Sequence, residues 1–544
     1  MDVTIVDELF TNLGDPGKFQ MVSYFFLVTN MIFALATHLN VVFYAAKTPH
    51  HCKLDMNQTL QDFVPLVRHN LKYEEQIDGC HVYTALNSSE TEPCRNGWTY
   101  GLKHGEKTII SEFNLVCDDA YKSELATTIY FGGVLVGSLT YGFLADKYGR
   151  KPTLAFAQLS AGVLGFAIFI FRNYYAFVIL RFFLGIQVQA FILLSFVLAM
   201  ELFQTKHRAR AGVFFGIVAV SGGVVLGILA YFIRDWKYIQ LTLSFFPFIQ
   251  LLFLCFVPES PRWLIVHKQF DKVEKIVHRI VSFNNLPYPE QVMQGIKNNS
   301  SQYQTTPGQK ATVLDLFKSP SLRRTTFILI IIWFTVSAAF YGLAFNISFL
   351  FGDKYVNFAI SEAVDMCAVV LMFWAVPRFG RRRPLTLAFF ICGMANVIAV
   401  VTITIESDAT WVKVLGTATA LLGKSCAVSV LNALTTFTAE LYPTVIRNIS
   451  LGVNTAWTRI GGMLSPQIFL LGAYTATYVP YCILGVISLT SAFLILLLPE
   501  THNKSLMDTI DHVRKEVVEM RDDDGESSQM VEEKEALFHE ESSV

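Results

Sequence analysis

The chain has 544 residues, of which 53% are hydrophobic and 16% are charged. An ordinary soluble domain has roughly 25% charged residues, so this composition excludes a typical soluble enzyme. Lysine plus arginine number 43 and aspartate plus glutamate number 44, which gives a net charge of -1 and no basic excess for binding nucleic acid.

The apolar residues are grouped into twelve segments, each close to the roughly 20 residues that a helix needs to cross a membrane. The first six are residues 21–46, 124–145, 153–171, 175–203, 212–233 and 239–257. The other six are residues 326–351, 356–376, 385–405, 411–439, 449–472 and 477–498. Membrane β-strands alternate apolar and polar residues, whereas these segments are apolar on all sides. The sequence therefore predicts an all-α membrane protein with twelve transmembrane helices.

Lysine and arginine are retained in short loops on the cytoplasmic side of a membrane. Most of these residues fall in one alternate set of loops, which includes Arg150, Arg208, Arg381 and Arg447. This bias places both termini in the cytoplasm and residues 47–123 outside, and the acidic N-terminus lacks the basic region of a cleavable signal peptide. The predicted organisation is a cytoplasmic N-terminus (1–20), a six-helix bundle with a large extracellular loop (21–257, loop 47–123), a cytoplasmic linker (258–325), a second six-helix bundle (326–498) and a disordered acidic cytoplasmic tail (499–544).

The cysteines and sequons agree with this topology. Four of the nine cysteines lie in the segment 47–123, where two disulfides are expected in any of three pairings: Cys52, Cys80, Cys94 and Cys117. The same segment holds glycosylation sequons at Asn57 and Asn87.

Three motifs occur twice in the same order. Lys147 to Pro152 is repeated by Arg378 to Pro384, Glu201-Leu202-Phe203 by Glu440-Leu441-Tyr442, and Pro258-Glu259 by Pro499-Glu500. The nearly constant separation of the copies predicts a duplicated six-helix unit, an arrangement that suits alternating access. In the linker, apolar residues recur at helical spacing from residue 270 to residue 281, which predicts an amphipathic helix on the inner membrane face.

These motifs resemble those of a known family. The segment from Gly142 to Lys151 looks like the major facilitator loop between the second and third helices, and Pro258 to Leu264 is shared with sugar and organic-ion porters. With Asp7-Glu8-Leu9, Phe113 to Asp118 and Glu440 to Asn448, nearly the whole chain resembles the organic cation, anion and carnitine transporters. The resemblance implies a plasma-membrane transporter of small organic ions in which two bundles rock against one another.

Charges at the cytoplasmic ends of the helices are the expected gating residues: Asp146, Arg150, Glu201, Arg208, Glu259, Arg262, Arg381, Glu440 and Arg447. The family often has an acidic residue before Arg378, but in this chain that position is Pro377. We therefore expect the charged contacts that latch the cytoplasmic side to differ between the two halves. The alternative for the second loop is that its charges only set the topology.

Ionisable groups within the spans cost about 2.5 to 3.5 kcal/mol each at a helix centre, which makes each one a candidate functional residue. Glu362 and Asp365 are three residues apart on one helix face, where they would attract a cation. Arg459 and Lys424 would attract an anion. The alternative is that these charges pair with one another. Arg181 and His38 are the other two ionisable residues that we single out within the spans.

The resemblance narrows the substrate class. Arg459 and Lys424 resemble the anion and carnitine branches, but Val369 stands where the anion branch has a lysine. This mixed charge suggests a zwitterion such as carnitine, a betaine or an amino-acid derivative. Phe340 and Tyr341 match an aromatic pair that lines the family's cavity, and ring faces hold quaternary ammonium groups.

Two alternatives remain open from the sequence. One is an organic cation uniporter that uses Glu362 and Asp365, and the other is a membrane receptor whose loop 47–123 binds a partner without transport. We find no motif for a catalytic residue, cofactor or metal ion. The C-terminal residues 541–544 fit a PDZ ligand, which makes a PDZ protein a possible partner beside the substrate and the lipid bilayer.

Overall fold

The structure is a computed structural model that describes residues 3–14, 16–46, 48–54, 66–68, 75–84, 90–102, 105–298, 312–347, 350–405, 409–443 and 446–502. The sequons at Asn57 and Asn87 and the C-terminal residues 541–544 lie outside these ranges. The helices of the first half are α1 (Val3–Asn12), α2 (Lys18–Leu39), α3 (Val41–Tyr44), α4 (Ile109–Phe113), α5 (Tyr121–Tyr148), α6 (Arg150–Ile170), α7 (Tyr174–Glu201), α8 (Thr205–Ile233) and α9 (Trp236–Leu254).

The linker contains α10 (Pro261–Val266), α11 (Phe270–Asn284), α12 (Glu290–Asn298) and α13 (Asp315–Lys318). The helices of the second half are α14 (Pro320–Phe345), α15 (Lys354–Phe379), α16 (Arg382–Thr404), α17 (Thr410–Leu441), α18 (Arg447–Tyr474) and α19 (Val479–Leu496).

All twelve predicted apolar segments form long helices. Eleven of the helices in the described ranges are long and apolar enough to cross a membrane, and α18 is the long helix outside that set. Polar residues lower the hydropathy of α18, namely the buried Asn454, Thr458 and Ser465 and the partly exposed Arg459 and Gln467. The helix boundaries differ from the predicted ones by several residues, and α8 begins at Thr205 instead of residue 212.

The two halves repeat one packing pattern. In the first half α5 and α6 pack on α7, α2 packs on α8, and α9 packs on α6. The second half repeats these contacts: α15 and α16 pack on α17, α14 packs on α18, and α19 packs on α16. The halves meet through α5 with α18 and through α8 with α15, which are equivalent pairs under the duplication. The predicted duplication thus appears as a pseudo-twofold arrangement of two six-helix bundles.

The segment between α3 and α5 defines one end of the molecule, which we call the disulfide face. It contains three two-stranded antiparallel sheets, in which β1 (His50–Cys52) pairs with β6 (Trp98–Tyr100), β2 (Leu66–Arg68) with β3 (Glu75–Ile77), and β4 (His81–Tyr83) with β5 (Thr91–Pro93). Disulfides join Cys52 to Cys94 and Cys80 to Cys117, which selects one of the three pairings that the sequence left open.

The linker helices lie at the opposite end, which we call the linker face. The apolar side of α11, which includes Val273, Val277 and Ile280, is buried in a cluster with Phe10 of α1 and Trp263 of α10. An ion pair of 2.6 Å between Arg262 and Asp7 closes this cluster. The amphipathic helix is therefore present, but its apolar side packs against protein and is not available to lie on lipid as we expected.

Each half has a glycine turn with a carboxylate against it at the linker face. Gly149 has φ 102° and Gly380 has φ 85°, a region that favours glycine. A Cβ atom at Gly149 would lie 2.6 Å from Oε2 of Glu259, and one at Gly380 would lie 2.7 Å from Oε2 of Glu500. Both the backbone conformation and the space at these turns therefore require glycine.

We expect Gly149→Ala to destabilise the protein by about 1–3 kcal/mol, because the new side chain would force a strained backbone and displace the Glu259 carboxylate. The measurement is the melting temperature of the detergent-purified chain. Gly132→Ala is the control, since a Cβ atom at Gly132 meets nothing within 4 Å. Equal melting temperatures for Gly149→Ala and the wild type would contradict this account of the turn.

Candidate functional site

Three charged side chains form a closed cluster between α15 and α17. The Nζ atom of Lys424 lies 2.6 Å from Oε1 of Glu362 and 2.9 Å from Oδ2 of Asp365. It also donates to Oγ of Ser361 at 2.7 Å, and Ser425 donates to the second carboxylate oxygen of Asp365 at 2.5 Å. The three charged side chains are 1% exposed or less. Glu362 and Asp365 do share a helix face as predicted, and the cation that they attract is Lys424.

Arg459 of α18 has a different environment. It is partly exposed, its Nε atom has no hydrogen-bond partner, and its guanidinium lies beside the hydroxyl of Tyr341. Among the described residues, no carboxylate forms an ion pair with it. A guanidinium offers five N–H donors in a planar fork that matches a carboxylate. Arg459 is therefore a cation that remains available for an anionic group.

Aromatic rings from both halves pack around Tyr341, whose hydroxyl lies beside Arg459. The ring of Tyr341 lies 4.7 Å from Phe131 of α5 and 5.6 Å from Phe345, measured between centroids. Phe340 is 5.0 Å from Tyr341 and lies 5.8 Å from Nζ of Lys424. The pair Phe340 and Tyr341 thus lies between Arg459 on one side and the charged cluster on the other.

His38 of α2 supplies a second unpartnered polar atom at this place. Its Nδ1 atom is 2.8 Å from the hydroxyl of Tyr130, and its Nε2 atom is buried without a partner. When the hydroxyl donates to Nδ1, the neutral ring carries its proton on Nε2 and can donate it. Its ring stacks on Phe131 at 5.6 Å and lies 6.3 Å from Tyr341.

Arg181 of α7 is a buried cation that is stabilised by aromatic rings. Its guanidinium lies 4.5 Å from the ring centroids of both Tyr44 and Tyr130, and it donates to the Tyr44 hydroxyl at 2.8 Å. Gln240 accepts a further hydrogen bond at 3.4 Å. Cation-π contacts of this kind compensate for part of the lost hydration. His38 and Arg181 were predicted from the sequence as candidate residues because they are ionisable. The aromatic residues Tyr44, Tyr130 and Phe131 were not predicted, because nothing in the sequence distinguishes them from the other aromatic residues.

The two halves are in contact at the disulfide face. Lys354 at the start of α15 lies 2.8 Å from Glu106 of the disulfide-bonded segment, and the hydroxyl of Tyr355 donates to the same carboxylate at 3.0 Å. The ring of Phe43 stacks on Tyr355 at 5.6 Å and meets Phe358 at 4.9 Å. These contacts join the first half to the second above the charged cluster.

A cavity of about 280 Å³ also lies at the disulfide face. Leu115, Val116 and Glu124 line it from the first half, and Asn346, Phe469 and Ala473 line it from the second. Both halves therefore contribute to its wall.

The predicted gating residues lie at the linker face, where their side chains contact groups of their own half. Arg150 contacts Asp146 at 3.0 Å and Glu201 at 3.3 Å, and Arg381 contacts Glu440 at 3.0 Å. Arg208 donates to the carbonyl of Met200 at 3.1 Å, Arg447 to that of Tyr442 at 3.4 Å, and Arg262 pairs with Asp7. Arg378 lies over the ring of Trp374 at 4.3 Å, so the residue after Pro377 has an aromatic partner.

Glu259 and Glu500 bind the N-termini of α6 and α16. Glu259 accepts hydrogen bonds from the backbone N–H groups of Arg150 and Lys151, and Glu500 from those of Arg381 and Arg382. Burial raises the pKa of Glu259 above its usual value, although these donors oppose the shift. For Glu500, burial alone would raise the pKa, but the backbone donors outweigh it and hold the pKa below its usual value.

Comparison with known proteins identifies the family. Residues 70–511 match the family described as "Sugar (and other) transporter". An organic cation transporter protein of Drosophila melanogaster is 32% identical over 529 residues, which cover 93% of this chain and 94% of that protein. The human organic cation/carnitine transporter 2 is 30% identical over 535 residues, which cover 93% of each chain. This chain belongs to the organic cation, anion and carnitine transporter family.

The fold of this family member agrees with a solved structure. The inward-open structure of the xylose transporter XylE from E. coli superposes with a TM-score of 0.60 and 15% identity, over 89% of this chain and 98% of that one. This likeness confirms the major facilitator fold that the family resemblance implied. The predicted family is confirmed as well, and its members are transporters of organic cations, anions and carnitine.

We expect Lys354→Glu to destabilise the contact between the halves by about 1 kcal/mol, because it places two carboxylates together at a partly buried position. The double variant Lys354→Glu/Glu106→Lys restores the opposite charges and should recover most of the loss. The measurement is the melting temperature in detergent at low salt. A double variant that is no more stable than Lys354→Glu would contradict a direct pairing of these two residues.

Proposed function

We propose that this transporter carries a small zwitterion, such as carnitine, a betaine or an amino-acid derivative, across the plasma membrane by alternating access. The observation that carries the proposal is the contrast between two sets of charges. The acidic pair Glu362 and Asp365 already holds Lys424, whereas Arg459 has no carboxylate partner within the described part of the chain. A substrate carboxylate supplies the partner that Arg459 lacks.

The carboxylate of the substrate would bind between the two halves. Arg459 belongs to the second half and His38 to the first, and each has a buried nitrogen without a hydrogen-bond partner. A carboxylate accepts up to about four hydrogen bonds, so one group can satisfy both nitrogens. Substrate bound in this way contacts both bundles, which couples binding to their relative movement.

The positive end of the substrate would lie against the aromatic rings. Phe131 and Phe345 pack on Tyr341, whose hydroxyl lies beside Arg459, and ring faces attract quaternary ammonium groups. The cluster behind Phe340 has two carboxylates and one ammonium, so with all three ionised it keeps one negative charge. Arg459 and this cluster therefore provide opposite charges on two sides of one aromatic pair.

Three alternatives make different demands on the structure. An organic cation uniporter would use Glu362 and Asp365 for its substrate, which requires Lys424 to leave both carboxylates. An organic anion transporter would need only Arg459 and the rings, and the occupied acidic pair favours this candidate over the cation uniporter. A receptor without transport would use the segment 47–123 and would not need a cation at the centre of the spans.

We also propose how the protein is oriented in the membrane and which contacts form its outer and inner gates. The disulfide face lies outside the cell with Asn57 and Asn87 glycosylated, and both termini lie in the cytoplasm, where residues 541–544 bind a PDZ protein. Contacts at Glu106 and Lys354 close the outer gate in this conformation. The charges at the linker face, which pair within their own halves, exchange partners when the inner gate closes.

We expect Arg459→Ala to lower the uptake of labelled carnitine at least about tenfold, because the substrate carboxylate loses the charged donor that we propose for it. Arg459→Lys keeps the charge without the planar fork and should retain part of the uptake. The measurement is voltage-clamped uptake of carnitine, tetraethylammonium and hippurate in cells that express equal amounts of surface protein.

Arg172→Ala is the matched control, since Arg172 is an exposed arginine outside the site. Uptake of hippurate without carnitine, abolished in Arg459→Ala, would support the anion candidate in place of the zwitterion. Uptake of tetraethylammonium alone, unchanged in Arg459→Ala, would overturn the proposal and direct attention to Glu362. No uptake of any probe would favour the receptor.

A further inference from the structure

The cavity of about 280 Å³ at the disulfide face lies between the two halves, and neither Arg459 nor the charged cluster belongs to its wall. Its volume is close to the lower end of the roughly 300–1,000 Å³ that small-molecule sites have. Ala120, just before α5, and Ala473, near the end of α18, belong to the wall and are exposed. The cavity is therefore open to the surface of the disulfide face, and a small molecule can enter it without passing Arg459.

The wall is mostly apolar, and its aromatic ring is fixed in position. The first half contributes the buried side chains of Leu115 and Val116, and the second half contributes Phe469. The ring of Phe469 lies edge to face with that of Tyr481, at 5.5 Å between centroids. On another side, a Cβ atom at Gly342 would lie 2.9 Å from Cε2 of the same ring. The wall thus offers a preformed surface to the apolar part of a ligand.

Glu124 gives this wall a negative charge. Among the described residues that line the cavity it is the one carboxylate, and lysine and arginine are absent from them. Ser123 and Asn346 add neutral polar groups, and Nδ1 of His50 donates to the carbonyl of Thr48 at 3.0 Å. An apolar wall screens a carboxylate less than water does, so a cationic group is attracted to it. The chemistry of the cavity therefore fits a small apolar amine in its protonated form.

The cavity exists only while α5 and α18 are packed together. Thr128 donates to the carbonyl of Met463 at 3.1 Å, and Gln467 donates to the hydroxyl of Thr128 at 2.9 Å. Thr128 lies one turn after Glu124, and Gln467 lies three residues before Leu470, so these bonds join the halves beneath the cavity. A ligand that contacts both walls has a higher affinity for the packed arrangement and shifts the protein towards it.

We propose that this cavity is a binding site for small apolar ammonium compounds, separate from the substrate site, whose occupant holds the two halves together at the disulfide face. Such a compound inhibits transport because it removes the conformation in which that face is open, and added substrate does not displace it. The inference depends on the transporter family and not on the zwitterion proposal.

The first test uses the purified full-length chain in detergent and three probes of similar size. These are 2-phenylethylammonium, the neutral 2-phenylethanol and the anion 3-phenylpropionate. We expect the ammonium compound to raise the melting temperature by about 2 °C or more at a concentration at which the other two have a smaller effect. An equal effect of all three probes would contradict recognition by a carboxylate.

The second test assigns the ammonium compound to the cavity. Glu124→Gln removes the charge with little change of shape and should weaken binding about fivefold, measured by isothermal titration calorimetry. Asp118→Asn is the matched control, since Asp118 is an exposed carboxylate near the same end of α5 and outside the wall. Ala473→Trp fills the mouth and should abolish binding, whereas Tyr474→Trp places the same ring on the neighbouring residue, whose side chain is outside the wall.

The third test asks whether binding requires the halves to be packed. Lys354→Glu weakens their contact with Glu106 outside the cavity, so it should raise the Kd for 2-phenylethylammonium about twofold or more. The added negative charge alone would act in the opposite direction. Lys354→Glu/Glu106→Lys should restore the affinity, and Arg459→Ala should leave it unchanged. The last variant separates failure of this site from failure of the proposed substrate site.

The fourth test measures transport. External 2-phenylethylammonium should reduce uptake of whichever probe the wild type carries, carnitine, tetraethylammonium or hippurate, and a tenfold increase of that probe above its KM should not restore uptake. The neutral form of the amine crosses membranes, so it reaches the disulfide face in either orientation. Ala473→Trp should be insensitive to the amine.

Two results would overturn the inference. One is an unchanged Kd in Glu124→Gln, which holds even if Ala473→Trp fails to fold. The other is inhibition that is relieved by added substrate, because the amine would then occupy the substrate site.

Discussion

A charge inside the hydrocarbon layer needs a partner, and this requirement determines which charged residues of the chain are structural. Lys424 is held by two carboxylates, and Arg181 is held by the rings of Tyr44 and Tyr130. Both cations therefore have partners for their charge within the protein. Arg459 has neither kind of partner among the described residues, and it lies where the two halves meet. Lys424, Arg181 and Arg459 look alike in the sequence, and their partners in the structure identify Arg459 as the cation that is available to a substrate.

The two halves of the molecule are alike at the periphery and differ at the centre. Both halves share the order of helix contacts, the glycine turns at Gly149 and Gly380, and the carboxylates that bind helix N-termini. The centre is different in the two halves, with an arginine among tyrosines in the first and an ion cluster in the second. A symmetric frame allows the bundles to move in equivalent ways, whereas an asymmetric centre can orient a substrate that has two different ends.

The features that could be predicted from the sequence are local or repeated. Apolar composition predicts the spans, and helical periodicity places Glu362 and Asp365 on one face. Which residue pairs with them depends on packing between helices, since Lys424 is 62 residues away from Glu362 in sequence. The same limit applies to the disulfide pairing and to α11, whose amphipathic pattern fits a lipid surface and a protein surface equally well. With 46 phenylalanines and 21 tyrosines in the chain, composition alone cannot identify the few rings that pack around Tyr341.

The way in which the disulfide-bonded segment is attached would allow transport to be blocked from outside the substrate site. Cys80–Cys117 ties the segment to the start of α5, and Glu112 holds it to α9 through Trp236 at 3.0 Å and through Lys237. The segment therefore moves with the first half, while its Glu106 meets the second half at Lys354. An antibody fragment whose epitope combined this segment with the start of α15 would act as a splint across the two halves and arrest their motion without entering the pathway of the substrate.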